Sequence, residues 1–411
     1  MLLAAALLSI QAPPMKAVPV KIAGEPDHYR LLRGGKPFFV KGAGGGNLIP
    51  LLPKYGANAA RTWGLETAKE DLEACRKAGL MLQMGIWLPH KNDAPDYSDP
   101  VAIKAMEDSV RKAVAIGKDH PNLLAYGLGN EMESGRETDP KMWGTINRLA
   151  QMLHTLDPDH PVVTVVAELA PGKVAAIREY APDIDILGVN TYGGAPSVTA
   201  RLREQGWTKP YLVTEFGPLG PWEGGKTPWG AAYEANSTEK ARHYAESYQK
   251  AVLDAPGFCL GSFAFLWGDK QEETATWFGM FLPDTKEPVE SAETMKALWR
   301  DQPVPKGRIA SFSVDTTEVD PSGTIRATLR TMSGRALRAT YTIRGETPVK
   351  ATMGNGEKTL PILSMIERPA HDGEETVALV VPRTSGHYRV YVVGHDDSGF
   401  VATANAPFRV K

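Results

Sequence analysis

The chain predicts an α/β protein, a (β/α)8 TIM barrel followed by a small C-terminal β-sandwich. Strand-like apolar runs and helical stripes alternate from about Lys36 to Trp299. The strand runs are mostly continuous rather than alternating, as parallel strands buried on both faces should be. After Trp299 the texture changes: Asp301-Gln302-Pro303-Val304-Pro305-Lys306-Gly307 reads as a linker, and short alternating strands follow between turn residues. The expected division is a signal-like segment over residues 1–17, a barrel over 18–302 opened by a short hairpin, and an immunoglobulin-like sandwich over 307–411.

Phe38 to Gly42 is the first barrel strand, and Pro50 and Pro53 allow only a broken helix after it. Asn58 to Trp63 is the second. Thr67 and Glu70 have capping-box spacing, Ala68, Leu72 and Cys75 recur at helical intervals, and Gly79 stops the helix. Met81 to Trp87 is the third strand. Asp99-Pro100 and Asp139-Pro140 are each an N-cap followed by a first-turn proline. Between their helices lies the fourth strand, Leu123 to Leu128. Met142, Ile146, Leu149, Leu153 and Leu156 form the clearest amphipathic stripe. Pro161 to Val166, Ile184 to Val189, Tyr211 to Thr214 and Phe258 to Trp267 supply strands five to eight, each with its helix. Eight such units in about 270 residues match a closed barrel. An open doubly wound sheet is the competitor. Gly42-Ala43-Gly44-Gly45-Gly46 nearly makes its dinucleotide fingerprint, but Asn47 stands where the third glycine is needed. Beyond the linker, Ala310–Val314, Thr324–Arg330, Ala339–Arg344, Glu375–Val381 and Tyr388–Val393 read as strands.

Composition narrows the function classes. With 411 residues the chain can hold one large and one smaller domain. A hydrophobic fraction of 42%, a charged fraction of 23% and a net charge of -2 are ordinary, and give no electrostatic reason to expect nucleic acid or an anionic membrane. Met1 to Ile10 is almost wholly apolar and leads to Ala12 and two prolines. It reads as a secretory signal, which predicts a periplasmic or secreted protein, or as a disordered apolar tail. It is too short to span a bilayer, so no membrane span is expected in the mature protein. Cys75 and Cys259 read as small buried hydrophobes; a pair between them stays open if the protein is exported.

The chemistry sits at strand ends. Gly129-Asn130-Glu131 and Thr214-Glu215-Phe216-Gly217 each place a glutamate just after a buried run. Two such carboxyls facing one cleft suffice for acid/base and nucleophilic work on a glycosidic bond. Catalytic groups of a barrel lie at the C-terminal ends of its strands. That rule gathers Arg61, Asn130, Glu131, Asn190, Tyr192, Glu215 and Trp267 around one pit. A cation such as Arg61 would favour an ionised Glu215, while an apolar or like-charged setting would keep Glu131 protonated. The bland alternative is a buried Arg61–Glu215 ion pair with no chemistry. The loop from Pro218 to Ala235 carries Trp222, Trp229 and Tyr233, and Thr276-Trp277-Phe278-Gly279 is a second aromatic stretch. Such rings either stack on sugars or pack their loops onto the barrel.

These stretches carry a resemblance. Gly56 to Arg61, His120-Pro121-Asn122 with Gly127 to Glu131, Asn190-Thr191-Tyr192, Thr214 to Gly217 and Trp267-Gly268 resemble the strand ends of retaining clan A glycosidases. The likeness spans the barrel and lies closest to the catalytic domain of glycoside hydrolase family 2, with echoes of families 5 and 72. It departs from family 2 in lacking the large N-terminal β-domains, because only about 35 residues precede the barrel. The resemblance implies Glu131 as acid/base and Glu215 as nucleophile. Asn130 would bind the sugar 2-OH, Tyr192 and Arg61 would hold Glu215, and Trp267 would floor the sugar site. Asn190, Trp222 and Trp229 complete the candidate substrate contacts. The expected activity is retaining β-glycoside hydrolysis, with transglycosylation as a variant, on a β-linked glucan or related oligosaccharide or polysaccharide. No cofactor is expected. A metallohydrolase is disfavoured because the nine histidines do not fall in ligand spacing. The alternative from another class is a non-catalytic carbohydrate-binding barrel, against which two intact glutamates argue.

Overall fold

The computed structural model of the chain describes residues 16–90, 97–347 and 357–411. Most of the signal-like segment therefore lies outside the described residues. Three short strands come first: β1 (Val20–Ala23), β2 (Arg30–Arg33) and β3 (Lys36–Pro37). Eight parallel strands then close into a barrel: β4 (Val40–Gly44), β5 (Ala59–Arg61), β6 (Met81–Ile86), β7 (Leu123–Asn130), β8 (Val162–Val166), β9 (Ile186–Asn190), β10 (Tyr211–Phe216) and β11 (Cys259–Ala264), with β11 pairing back onto β4. All eight of the expected barrel strands are present, most with their ends shifted by one to three residues. Every residue of β5 to β11 is buried, which is why their sequences run apolar without alternation.

The helices lie between these strands: α1 (Leu52–Tyr55), α2 (Ala68–Ala78), α3 (Pro100–Gly117), α4 (Pro140–Leu156), α5 (Lys173–Tyr180), α6 (Val198–Glu204), α7 (Ser237–Tyr248) and α8 (Glu290–Trp299). Asp99 and Asp139 cap α3 and α4 by accepting from backbone N–H groups of the first turn. The expected capping box at Thr67 does not form. Its hydroxyl instead donates to the Asp71 carboxylate at 2.8 Å. The capping box is at α7, where Asn236 and Glu239 satisfy each other's backbone N–H groups. Cys75 and Cys259 are both free and buried, and burial pushes each thiol up to about 12.

The two ends of the barrel differ. Val20 and Leu31 of the N-terminal strands pack with Ala59, Met81, Leu124, Val163, Ile186, Leu212 and Leu260, residues near the starts of the barrel strands. The N-terminal sheet therefore plugs the bottom, and the strand C-termini open to solvent.

After α8 come β12 (Ile309–Val314), β13 (Glu318–Val319), β14 (Thr324–Thr331), β15 (Leu337–Gly345), β16 (Ile362–His371), β17 (Glu374–Val380), β18 (Gly386–His395) and β19 (Val401–Val410). They form a three-stranded sheet, β12-β14-β17, and a five-stranded sheet, β13-β19-β18-β15-β16. Ile325, Leu329 and Leu379 of the first share one hydrophobic cluster with Tyr341, Val390 and Phe408 of the second. Arg308 binds this region to the barrel helices, pairing with Glu293 at 2.6 Å and Asp396 at 2.8 Å.

Candidate active site

Both sequence-marked glutamates stand where a strand breaks register. The β7–β8 pairing shifts between Gly127 and Asn130, and the β9–β10 pairing shifts between Val213 and Glu215. A bulge of this kind re-aims the side chain that follows it. Gly129 has φ +77, and a Cβ there would sit 2.1 Å from Met132 Sδ, so only glycine fits. Glu131 itself is left-handed at φ +52 and is held by its N–H to the Val165 carbonyl at 2.9 Å. A non-glycine residue in that region costs about 1 kcal/mol or more. The surroundings fix it: two residues on, fully buried Glu133 accepts from Lys173 Nζ and the Ala167 N–H, both at 2.8 Å.

Glu215 is gripped by three donors. Arg61 Nη1 reaches its Oε1 at 2.8 Å, Trp63 Nε1 reaches the same oxygen at 2.9 Å, and the Tyr192 hydroxyl donates to Oε2 at 2.9 Å. Arg61 spends its other Nη on Asn130 Oδ1 at 2.6 Å. Asn190 Nδ2 joins that oxygen at 3.1 Å and donates to Glu131 Oε1 at 2.6 Å. Thr214 Oγ1 fixes the Asn190 amide by donating to its Oδ1 at 2.8 Å. A continuous chain of contacts thus runs Glu215–Arg61–Asn130–Asn190–Glu131.

The two carboxyls differ electrostatically. Burial first, and the Glu215 carboxylate second, together push Glu131 up to about 7, and the Asn190 bond only partly opposes them. Burial, followed by the charges of Glu215 and Glu131, raises Tyr192 well above the ordinary phenol range, so it stays a neutral donor. One carboxyl keeps its proton near neutrality while its neighbour is wrapped in donors suited to an anion.

These groups face a cleft of about 1090 Å³ at the strand C-termini, lined also by Trp87, Glu168, Thr191, Trp222, Phe265 and Leu266. Of the sequence-marked residues, Asn130, Glu131, Asn190, Tyr192, Glu215 and Trp222 line it, and Arg61 lies directly behind. Trp222 is 60% exposed and sits edge-on to Tyr192 at 5.7 Å.

Trp267 and Trp229 are corrections. Strand β11 ends at Ala264, so Phe265 and Leu266 turn into the cleft. The Trp267 ring points away, packed against Tyr55 and Phe281 at 4.9 Å each, with Nε1 bonded to the Leu48 carbonyl. Trp229 lies outside the lining, stacked on His387 at 6.0 Å and under Arg409 at 5.7 Å. Trp277 and Phe278 are also buried packing residues. His120 shapes the turn before β7, accepting from the Asn122 N–H through Nδ1. Sequence reasoning missed Trp63 and Glu168. Trp63 lies two residues after Arg61 along the same strand end, so period-two alternation pointed to it. Glu168 lies two residues past β8, where no candidate was sought.

Among the described residues no three His, Cys, Asp or Glu side chains gather as a metal site, and no helix is long and apolar enough to cross a membrane. The fold and cleft together define a closed parallel (β/α)8 barrel with paired glutamates at its open mouth. No protein-family model matches the chain, and no curated protein matches it. Among solved structures it is similar to a calcium-binding mutant of Bacteroides uniformis beta-glucuronidase 2, at 16% identity and TM-score 0.53, over 95% of this chain and 48% of that one. It is also similar to a beta-D-glucuronidase of Dictyoglomus thermophilum, at 19% identity and TM-score 0.55, over 71% of this chain and 55% of that one. A Ruminococcus gnavus beta-glucuronidase bound to a C6-substituted uronic isofagomine matches at 17% identity and TM-score 0.55, over 69% and 53%. The chain thus spans about half the length of these structures, and at such identities the likeness is one of fold.

Proposed function

We propose that this chain is a retaining β-glycoside hydrolase acting on a β-linked glucan or related polysaccharide. The observation that carries the reading is the unequal pair: Glu131 pushed up to about 7 beside a Glu215 held by three hydrogen-bond donors. Glu215 attacks the anomeric carbon while Glu131 gives its proton to the departing oxygen. A covalent glycosyl-enzyme results. Glu131, now a base, takes a proton from water, which attacks the same carbon and frees Glu215. Asn130 offers its NH2 to the sugar 2-OH, and Asn190 orients Glu131. The barrel over residues 18–302 carries the chemistry. The sheets over 307–411 form a sandwich that holds one wall of the cleft, since Arg389 Nη2 donates to the Ala232 carbonyl and Asn405 Nδ2 to Glu234. That the structural neighbours are named as beta-glucuronidases supports a glycosidase of this general kind.

Trp222 favours a second mode. Its open ring on the cleft wall offers a platform for an acceptor sugar, so transfer competes with hydrolysis. One NMR experiment addresses both readings, following the first minutes of cleavage of a defined β-oligosaccharide. The β-anomer is expected as first product, together with some oligomers longer than the substrate. Initial α-anomer would rule out retention, and absence of longer products would rule out transfer.

A further inference from the structure

We propose that the cleft selects against sugars bearing a carboxylate and takes neutral or amine-bearing β-linked glycans. This rests on the glycosidase reading and specifies its substrate class. The charged residues lining the cleft, among those described, are eight glutamates and one lysine: Glu66, Glu131, Glu168, Glu215, Glu223, Glu272, Glu273 and Glu357, with Lys270. The described cations at its edge are already committed. Lys270 Nζ pairs with Glu272 at 2.7 Å and lies over the Phe265 ring. Arg201 pairs with Glu168 at 2.5 Å and also donates to the Gly194 carbonyl at 2.9 Å. Both Nη atoms of Arg61 are taken by Glu215, Asn130 and the Thr214 carbonyl. Among the described residues, a substrate carboxylate would therefore have to break an existing ion pair to find a positive partner.

Negative charge in the wall is not fully offset. Glu223 accepts from the Gly193 N–H at 3.0 Å and the Gly220 N–H at 2.7 Å, both of them neutral donors that bring no positive charge to its carboxyl. Glu66, whose carboxyl lies beside Gly64, adds a second carboxylate to the lining. A concave site with low-dielectric walls focuses such a field. Carboxylates are acceptors only, so this wall suits the hydroxyl or ammonium donors of a glycan and repels an anion. Trp63, Trp87 and Trp222 add ring surfaces, apolar faces that a neutral sugar can use.

The test uses the full chain and matched substrates. Each neutral glycan in a panel of β-linked glucans and mannans is compared with the same glycan oxidised at C6 to the uronate. Cleavage rates are measured at low and high salt, for the native protein and for a Glu66→Gln/Glu223→Gln variant. The expected result is at least a tenfold loss in kcat/KM on oxidation, part of it recovered by salt and by the variant, because both weaken the repulsion. An oxidised glycan cut as fast as its parent overturns the proposal. So does a loss that neither salt nor the variant alters, which would mark it as steric. If no glycan of either kind is cut and no glycosyl label attaches to Glu215, the glycosidase reading itself fails and takes this proposal with it.

Discussion

Glu131 is an acid whose surroundings oppose its charge, and that has a sign. Its folded pKa lies near 7 against an ordinary 4.5. Between those values the folded chain holds a proton that the unfolded chain has released, so stability falls as pH rises through this window and is level above it. Glu131→Gln removes the penalty. Thermal melts should show the variant matching the native protein below about pH 4.5 and exceeding it above about pH 7. Equal melts at both ends would contradict this. With Glu131 as the proposed general acid, a pH–rate profile is expected to show an alkaline limb near pH 7. Trp63 makes a narrower point. Trp63→Phe keeps the ring and deletes one donor to the Glu215 carboxylate. Hydrogen bonds to charged groups contribute about 1.5–3 kcal/mol, so kcat should fall roughly 10- to 100-fold with little change in KM. An unchanged kcat would mean that Arg61 and Tyr192 suffice.

At the scale of elements, the loop after β10 depends on a buried hub. Glu234 accepts from Lys240, Thr274, Thr276 at 2.8 Å and Asn405 at 2.5 Å. Glu234→Ala would leave Lys240, itself 4% exposed, without its counter-charge. Breaking a buried pair from one side costs about 3–5 kcal/mol, which denaturant titration would read directly; a loss under about 1 kcal/mol would contradict the account. Elements were the most legible level in the sequence. Asp99-Pro100 and Asp139-Pro140 marked their helices because cap and first-turn proline act locally. Less local features escaped. β19 carries Pro407 and Asn405 and has no alternation, yet it is a buried ten-residue strand. Its proline is tolerated because β13 pairs only with Arg409 and Val410, leaving the edge beside Pro407 unpaired. No capping box forms at Thr67, whose backbone (φ -116, ψ 15) is not the extended conformation of an N-cap, whereas Asn236 (φ -68, ψ 165) is extended and forms one. Trp267 was misplaced because the strand-end rule assumes where a strand ends, and β11 ends at Ala264.

On the scale of the whole molecule, barrel closure makes the site. Glu131 follows β7 and Glu215 lies within β10, with two strands between them in the sheet, and Asn190 of β9 links Glu131 to Thr214, the residue before Glu215. The C-terminal region reaches the cleft through one residue between β15 and β16: Glu357 lines it, and its N–H is tied to the Gln271 carbonyl at 3.1 Å. The barrel was readable from its alternating runs, and the convergence of 131 with 215 from the strand-end rule. The cleft wall was not, because it is assembled from loops and a second region whose contacts leave no periodic trace.

In the proposed mechanism Glu215 bonds to the sugar. A 2-deoxy-2-fluoro glycoside with a good leaving group, in the configuration of a cleaved substrate, should trap the intermediate, and digestion followed by mass spectrometry locates it. One added sugar is expected on the peptide holding Glu215, and none in Glu215→Gln. A label on any other residue, or turnover of true substrate by Glu215→Gln at the native rate, would contradict it.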